Sequence, residues 1–312
     1  MSMAGWIECV PNISEGLDAA RVERLAQAFR SVPGAKLLDY SRDVDHHRSV
    51  FTLVGPASAI EDAVLAAAAI AAAEIDLRRH RGSHPRMGAL DVVPLIPLDN
   101  ADWPTCRAAA ERIAERLWRE LGLPVYFYGE AARRPERRRL DFVRRGGFEA
   151  LVATSADPER QPDIGGPALH PSAGATAVGV RKFLVAFNVN LATEDLATAR
   201  EIARAVRESS GGLPAVRALG LALPSRGLTQ VSMNLVDLDI TPLHVAFERV
   251  LYEAARRGIE ALESELIGLA PRTALEQAAA GLLRLRDFRP GMILENRLEA
   301  NAAPGGDRGE PR

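Results

Sequence analysis

The sequence predicts an α+β protein made of two similar halves, each with the element order βαββαβ. Short apolar runs with strand-like alternation and longer runs with helical spacing follow one another in the same order in residues 1–178 and 179–299. A unit of this order forms an antiparallel sheet with both helices on one face. The expected architecture is therefore two ferredoxin-like α/β-sandwich subdomains with a ligand cleft between them.

The elements of the first half are bounded by caps and breakers. Asp18 is a candidate cap for the first helix, Pro33-Gly34 ends it, and Asp102 is a candidate cap for the third helix. The predicted elements are strand 6–10, helix 18–32, strands 37–40 and 50–54, helix 58–78, strand 92–98, helix 103–121 and strand 125–128.

The second half repeats this order. Thr241-Pro242 supplies a cap and a first-turn proline for its second helix. Its predicted elements are strand 183–189, helix 194–209, strands 216–223 and 230–238, a helix after 242, strand 266–269 and helix 273–285. The tail 300–312 is poor in apolar residues and is predicted to be disordered.

Two segments near the end of the first half have unusual composition. Residues 133–145 carry seven arginines, for which a solvated helix face is the favoured interpretation and attraction of acidic ligands the alternative. Residues 154–174 contain four prolines and several glycines with little periodicity, which is typical of a linker or a binding loop.

Length and composition exclude several classes of protein. A chain of 312 residues favours two domains, and a net charge of −2 argues against nucleic acid or a membrane surface as the main partner. Two distant cysteines provide no disulfide framework, and the first residues do not resemble a signal peptide. The longest apolar run, residues 63–73, is too short to cross a bilayer. We therefore expect a cytoplasmic protein.

The loop from His80 to Asp91, here called the HPRMG loop, concentrates reactive side chains. It holds two imidazoles, two guanidiniums and a carboxylate, and Gly82 and Pro85 break its regularity. Histidine can take and return a proton near neutral pH, and arginine binds carboxylates. The spacing of His80 and His84 suits a metal only on a helix, which those two breakers prevent. The residues alone predict acid–base chemistry on a carboxylate-bearing small molecule, without a metal.

Longer motifs extend this prediction. ECVPNISEG, RSVFTLVGP, HPRMGALDVVPLIP, LPVYFYGEAA, GATAVGVRKFLVAFNVNL, QVSMNLVDL and TPLHVAFE occur in this order over residues 6–299. Together they resemble the glutamate formimidoyltransferases. The resemblance implies transfer of a formimidoyl group from N-formimidoyl-L-glutamate to N5 of tetrahydrofolate, the co-substrate, during histidine degradation. It also implies two α/β subdomains with folate between them and a homodimer.

The resemblance implies particular site residues. The catalytic acid–base is His84, and the folate-binding segment comprises Asp163, Ile164, Gly165, Gly166, Pro167, Ala168, Leu169, His170, Pro171 and Ser172. As a hypothesis, Arg48 and Arg86 bind the glutamate carboxylates, while Asp39 or Asp91 orients His84.

Two departures from the family pattern stand out. His47 occupies a position where relatives commonly have asparagine. No cyclodeaminase region follows the transferase region, so we expect a monofunctional enzyme.

Two other functions remain open at this level. One is a folate-binding protein without transferase activity, although binding alone does not require a placed imidazole. The other is a hydrolase that releases the formimidoyl group to water, although metal hydrolases need a ligand cluster that the sequence lacks.

Overall fold

The structure, a computed structural model, describes residues 5–98 and 102–296. Eleven strands and eight α-helices are assigned within these ranges. The strands are β1 Trp6–Cys9, β2 Asn12–Ile13, β3 Lys36–Asp43, β4 Arg48–Pro56, β5 Leu90–Pro97, β6 Val125–Gly129, β7 Thr176–Val180, β8 Val185–Leu191, β9 Val216–Leu223, β10 Leu228–Leu235 and β11 Ala261–Ile267. The helices are α1 Ala19–Arg30, α2 Ala57–Glu74, α3 Trp103–Leu121, α4 Leu140–Val143, α5 Gly147–Thr154, α6 Leu196–Val206, α7 Leu243–Ala255 and α8 Arg272–Leu282.

The first sheet has the side-to-side order β3, β4, β1 with β2, β5, β7 and β6. β1 and β2 are two parts of one central strand, antiparallel to both β4 and β5. β7 lies between β5 and β6 and is parallel to both. β7 is not predicted by the sequence, because its five residues follow a long irregular segment that indicates a linker. All five residues of β7 are buried, which explains why its sequence, TAVGV, shows no alternation of polar and apolar residues.

One face of this sheet packs against α1, α2 and α3 to form the larger core. Asp18 caps α1 by accepting a hydrogen bond from the amide of Arg21, as predicted. Phe29 of α1 lies against Phe51 of β4 with ring centroids 5.0 Å apart, and both side chains are buried. Burial of each such ring contributes about 1.5–3 kcal/mol to stability.

The second sheet has the order β11, β8, β10, β9, with all neighbours antiparallel. Val185, Phe187, Val189 and Leu191 of β8 point toward the core with α6 and α7. The alternate residues of β8, among them Asn188 and Asn190, form part of the opposite, polar face. The predicted α+β class with two sheets is confirmed. The last strand, however, is β11, which begins and ends earlier than the predicted 266–269.

Four of the seven arginines in the arginine-rich segment are exposed, but the segment does not form the single solvated helix face that the sequence suggested. It forms a 3-10 turn at 135–138 and the short α4, and the side chain of Arg137 is 2% exposed. Arg137 is buried because Asp163 lies 2.8 Å from its guanidinium, so the charge has a partner inside the protein. The tail 300–312, predicted to be disordered, lies outside the described residues.

Candidate active site

The HPRMG loop connects α2 to β5 and is held against the β3–β4 hairpin and β7. A Cβ atom on Gly82 would lie 2.4 Å from the carbonyl oxygen of His46, and one on Gly88 would lie 2.1 Å from that of Ala175. Real Cβ contacts are not this short, so both positions require glycine. The two glycines thus let the loop lie directly on neighbouring backbone, which fixes where its imidazoles lie.

The ring of His84 is oriented by one backbone and one side-chain contact. Nδ1 lies 2.7 Å from the carbonyl oxygen of Pro85, and Nε2 lies 2.6 Å from Nη1 of Arg48. A carbonyl can only accept and a guanidinium can only donate, so Nδ1 carries the proton and Nε2 has the free lone pair. His84 is therefore a neutral imidazole with its basic nitrogen directed at an arginine.

The surroundings of His84 keep it neutral. Burial lowers its pKa well below the usual range, and the positive charges of Arg48 and Arg144 lower it further. Arg48 is itself perturbed: burial and Arg144 lower its pKa to about 10. Anionic groups bound between these side chains would offset that repulsion and make His84 more basic.

Four residues were proposed to bind the glutamate carboxylates or to orient His84, and of these four only Arg48 contacts His84. Asp91 is 1% exposed and accepts hydrogen bonds from the amides of Met87 and Gly88 and from Arg144 at 2.9 Å. It therefore positions the loop backbone and Arg144, and makes no bond to the imidazole. Asp39 lies on β3 opposite Thr52 of β4, with no bond to His84.

Arg86 is occupied by internal contacts. Its guanidinium makes two hydrogen bonds to Glu149, at 2.7 and 2.8 Å, and its Nε donates to Nδ1 of His80. Nη2 also faces the carbonyl oxygens of Leu77 and His80 at 3.3 Å. This engagement does not favour the predicted contact between Arg86 and substrate.

His80 makes only internal contacts in the HPRMG loop region. Its Nε2 lies 2.8 Å from the carbonyl oxygen of His47, and the two rings stack with centroids 3.9 Å apart. Burial lowers the pKa of His80 to about 4, so it is neutral at physiological pH. His47, the departure from the family pattern, lies 3.3 Å from the buried carboxylate of Glu15. This pair ties the hairpin turn to the segment after β2.

A cleft between the two halves contains His84. The space between the lining residues is about 760 Å³, a volume that includes open solvent at the mouth of the cleft. The first sheet contributes polar and charged side chains, and the second half contributes mainly apolar ones. The first group includes Glu8, Asn12, Arg48, Thr52, Tyr128, Arg144 and Arg181, and the second includes Phe183, Leu184, Ala186, Asn234, Ile267 and Leu269.

The predicted folate segment, residues 163–172, lies behind the HPRMG loop. At one end, Asp163 pairs with Arg137 and accepts a hydrogen bond from the amide of Phe127. At the other, the carbonyl of Ser172 accepts a hydrogen bond from the amide of Leu77, next to the HPRMG loop. None of the ten residues is among those that line the cleft around His84. In this structure the segment therefore braces the loop and β6.

Several polar residues of the cleft were not predicted from the sequence, among them Glu8, Tyr128, Arg144 and Arg181. Arg144 was hidden in the arginine-rich run, which suggested a solvated surface. The other three lie in or beside strands whose apolar alternation directs attention to the core. The one available signal was a charged residue inside an apolar strand, as in Trp6-Ile7-Glu8-Cys9.

Within the described ranges, no group of three or more histidine, cysteine, aspartate or glutamate side chains is arranged to hold a metal ion. No described helix is long and apolar enough to cross a membrane.

Comparison with protein families identifies the two halves. A family model described as the N-terminal subdomain of the formiminotransferase domain matches residues 6–181, and the formiminotransferase domain model matches residues 186–289. The chain belongs to the formiminotransferase family.

Named relatives agree with this membership. The chain is 44% identical over 297 residues to a glutamate formimidoyltransferase of Streptococcus pyogenes serotype M1, covering 95% of this chain and 99% of that protein. It is 43% identical over 298 residues to a glutamate formimidoyltransferase of Thermoplasma acidophilum, covering 95% of this chain and 98% of that protein. The formimidoyltransferase-cyclodeaminase of Gallus gallus is 43% identical over 284 residues, 89% of this chain but 52% of that protein.

Similarity to solved structures is too weak to argue from. A microcompartment protein from Desulfitobacterium hafniense DCB aligns over 87% of this chain and 98% of its own length, with 12% identity and a TM-score of 0.23.

Proposed function

We propose that this chain is a glutamate formimidoyltransferase, which moves the formimidoyl group of N-formimidoyl-L-glutamate to N5 of tetrahydrofolate and releases L-glutamate. The observation that carries the proposal is the His84–Arg48 pair in a cleft shared by both halves. It supplies a free imidazole lone pair next to cations suited to a carboxylate-bearing substrate.

His84 is the proton carrier in this proposal. N5 of tetrahydrofolate forms a bond to the formimidoyl carbon, and Nε2 of His84 accepts the proton that N5 loses. The imidazolium then donates this proton to the glutamate nitrogen as the bond between that nitrogen and the carbon breaks. Nδ1–H donates to the carbonyl oxygen of Pro85 throughout the reaction, so only Nε2 exchanges protons.

Arg48 and Arg144 bind the carboxylates of formimidoylglutamate. Both line the cleft with His84, whereas Arg86 is already paired with Glu149. Binding an anion to Arg48 withdraws that guanidinium from Nε2 and leaves the lone pair for N5. The same event raises the pKa of His84, because it offsets one cause of the lowering. Substrate binding thereby converts a weak base into a stronger one.

The finer architecture is also a proposal. We assign each half to the ferredoxin-like class, because in both βαββαβ units the fourth strand, β5 or β11, lies beside the first and the third strand lies beside the second. In the first half, β7 and β6 extend the sheet beyond β5. The boundary belongs between Val180 and Val185, slightly later than residue 178, because β7 completes the first sheet. Direct folate contact by residues 163–172, a cytoplasmic location and a homodimer rest on the family resemblance.

The decisive assay follows formimidoylglutamate with and without tetrahydrofolate. Folate-dependent loss with release of glutamate supports the transferase. Loss without folate would indicate a hydrolase, and folate binding without turnover would indicate a binding protein. Either outcome overturns the proposal.

A variant pair tests the role of His84. His84→Ala should reduce kcat by about 10²–10⁴-fold, the usual contribution of general acid–base catalysis, and leave folate affinity within a few-fold. His80→Asn, which retains a donor and an acceptor for the His47 and Arg86 contacts, is the matched control and should lose much less. Equal losses in the two variants would contradict the assignment of the proton carrier.

A further inference from the structure

Glu8 is a buried carboxylate that the proposed proton transfer does not use. It lies on β1 between Ile7 and Cys9, whose side chains enter the core, so its own side chain is directed to the cleft face. It is 5% exposed, and it lines the same cleft as His84. No described residue hydrogen-bonds to its Oε2. A buried carboxylate oxygen without a partner costs stability unless a ligand occupies it.

Arg181 stands beside this carboxylate without pairing to it. Burial raises the pKa of Glu8 and the charge of Arg181 lowers it, yet among the described residues the two side chains form no ion pair with each other. Arg181 lines the cleft directly after β7, and its Nη1 donates to the carbonyl of Lys182. The cleft thus has a carboxylate acceptor and a guanidinium donor among its lining residues.

We propose that Glu8 and Arg181 bind the 2-amino-4-oxopyrimidine edge of the tetrahydrofolate ring system. That edge presents two adjacent N–H donors, the 2-amino group and N3, followed by the carbonyl oxygen at C4. The carboxylate of Glu8 accepts from the two donors, and the guanidinium of Arg181 donates to the carbonyl. This inference rests on the proposed function, because it assigns the ring orientation within the same cleft.

The position of Glu8 distinguishes the folate ring from the other substrate. The formamidine group of formimidoylglutamate also has adjacent N–H donors, but its carbon has to reach N5 at about 3–3.5 Å, beside His84. Glu8 pairs with Val54, six residues from Arg48 on β4, so about 20 Å of strand separates their backbones. A bicyclic ring with a hydrogen bond at each end spans on the order of 10 Å. The side chains of Glu8 and Arg48 can cover the remainder.

The test measures binding, so it does not depend on turnover. Dissociation constants of 5-formyltetrahydrofolate and of its 2-desamino-2-methyl analogue are determined by calorimetry for the full chain and for Glu8→Gln. Removing the carboxylate should weaken the binding of 5-formyltetrahydrofolate by about 10–100-fold, the usual effect of losing a hydrogen bond to a charged group. The wild-type protein should bind the 2-desamino-2-methyl analogue more weakly than 5-formyltetrahydrofolate by a similar factor. In Glu8→Gln the dissociation constants of the two ligands should differ by less than about threefold.

Glu253→Gln is the matched control. Glu253 is a 4% exposed glutamate on α7 that pairs with Arg249 and Arg257, outside the cleft. It should leave both dissociation constants unchanged.

Three results would overturn the inference: Glu8→Gln retains the wild-type preference for the 2-amino compound, wild-type protein shows no preference, or Glu8→Gln raises KM only for formimidoylglutamate. If Glu8→Gln does not fold, the wild-type comparison of the two ligands decides. If the wild-type protein binds folate through Glu8 but transfers no formimidoyl group, the proposed function is refuted and this inference still stands.

Discussion

Replacing Arg137 by methionine tests the largest difference between the predicted and observed surroundings of the arginine-rich segment. The side chains of Arg137 and Asp163 are 2% and 5% exposed and lie 2.8 Å apart. Nη2 of Arg137 also donates to the carbonyls of Glu159 and Gln161, at 3.1 and 2.7 Å. Methionine keeps much of the volume but leaves the carboxylate buried without its cation.

Breaking a buried ion pair by removing one partner costs about 3–5 kcal/mol. With an m-value of about 2 kcal/mol/M in urea, the unfolding midpoint should fall by about 2 M. All three tryptophans, Trp6, Trp103 and Trp118, lie in the first half, so their fluorescence reports its unfolding.

The control is Arg138→Met. Arg138 is 62% exposed and pairs with Glu130 at 3.0 Å, so its loss should cost less than about 1 kcal/mol. Asp163→Asn added to Arg137→Met should recover part of the lost stability, because the unpaired charge is removed. Equal midpoints for Arg137→Met and Arg138→Met would refute the argument that this pair holds residues 133–163 in place.

Other predictions concern the cleft. Arg48→Met should raise KM for formimidoylglutamate by about 10–100-fold, whereas the exposed Arg81→Met should leave it near wild type; equal effects would show a general charge effect. Because burial and the charge of Arg48 hold the pKa of His84 low, the acid limb of kcat/KM should lie below pH 6.5 and move to higher pH in Arg48→Met. An acid limb at the same pH in Arg48→Met as in the wild type would show that the titrating group is not His84. Activity should survive exhaustive chelation; loss restored by zinc would contradict a metal-free reaction. A stable folate analogue should protect amides 163–172 from hydrogen exchange if they contact folate, and protection confined to the cleft strands would show that they only brace the HPRMG loop.

The sequence by itself determined the class of the fold and the position of the reactive loop. Helical and strand periodicities are local properties, so α1, α3 and β9 are found where their residues predict them. The breakers Gly82 and Pro85 likewise mark a loop in any context. The proposed proton-carrying role of His84 rests on the family motif, because two histidines in one loop are equivalent by composition.

Only the tertiary structure decided which partners these side chains have. Arg48 and His84 are 36 residues apart, and Arg144 and Asp91 are 53 apart, so no local pattern links them. Arg86 and Arg144 cannot be told apart from sequence, yet one pairs with Glu149 and the other lines the cleft. Burial and pairing depend on long-range packing, because a buried charge persists only where a distant residue compensates it. For the same reason the proposed binding role of Glu8 depends on the tertiary structure, which places β1 along the cleft.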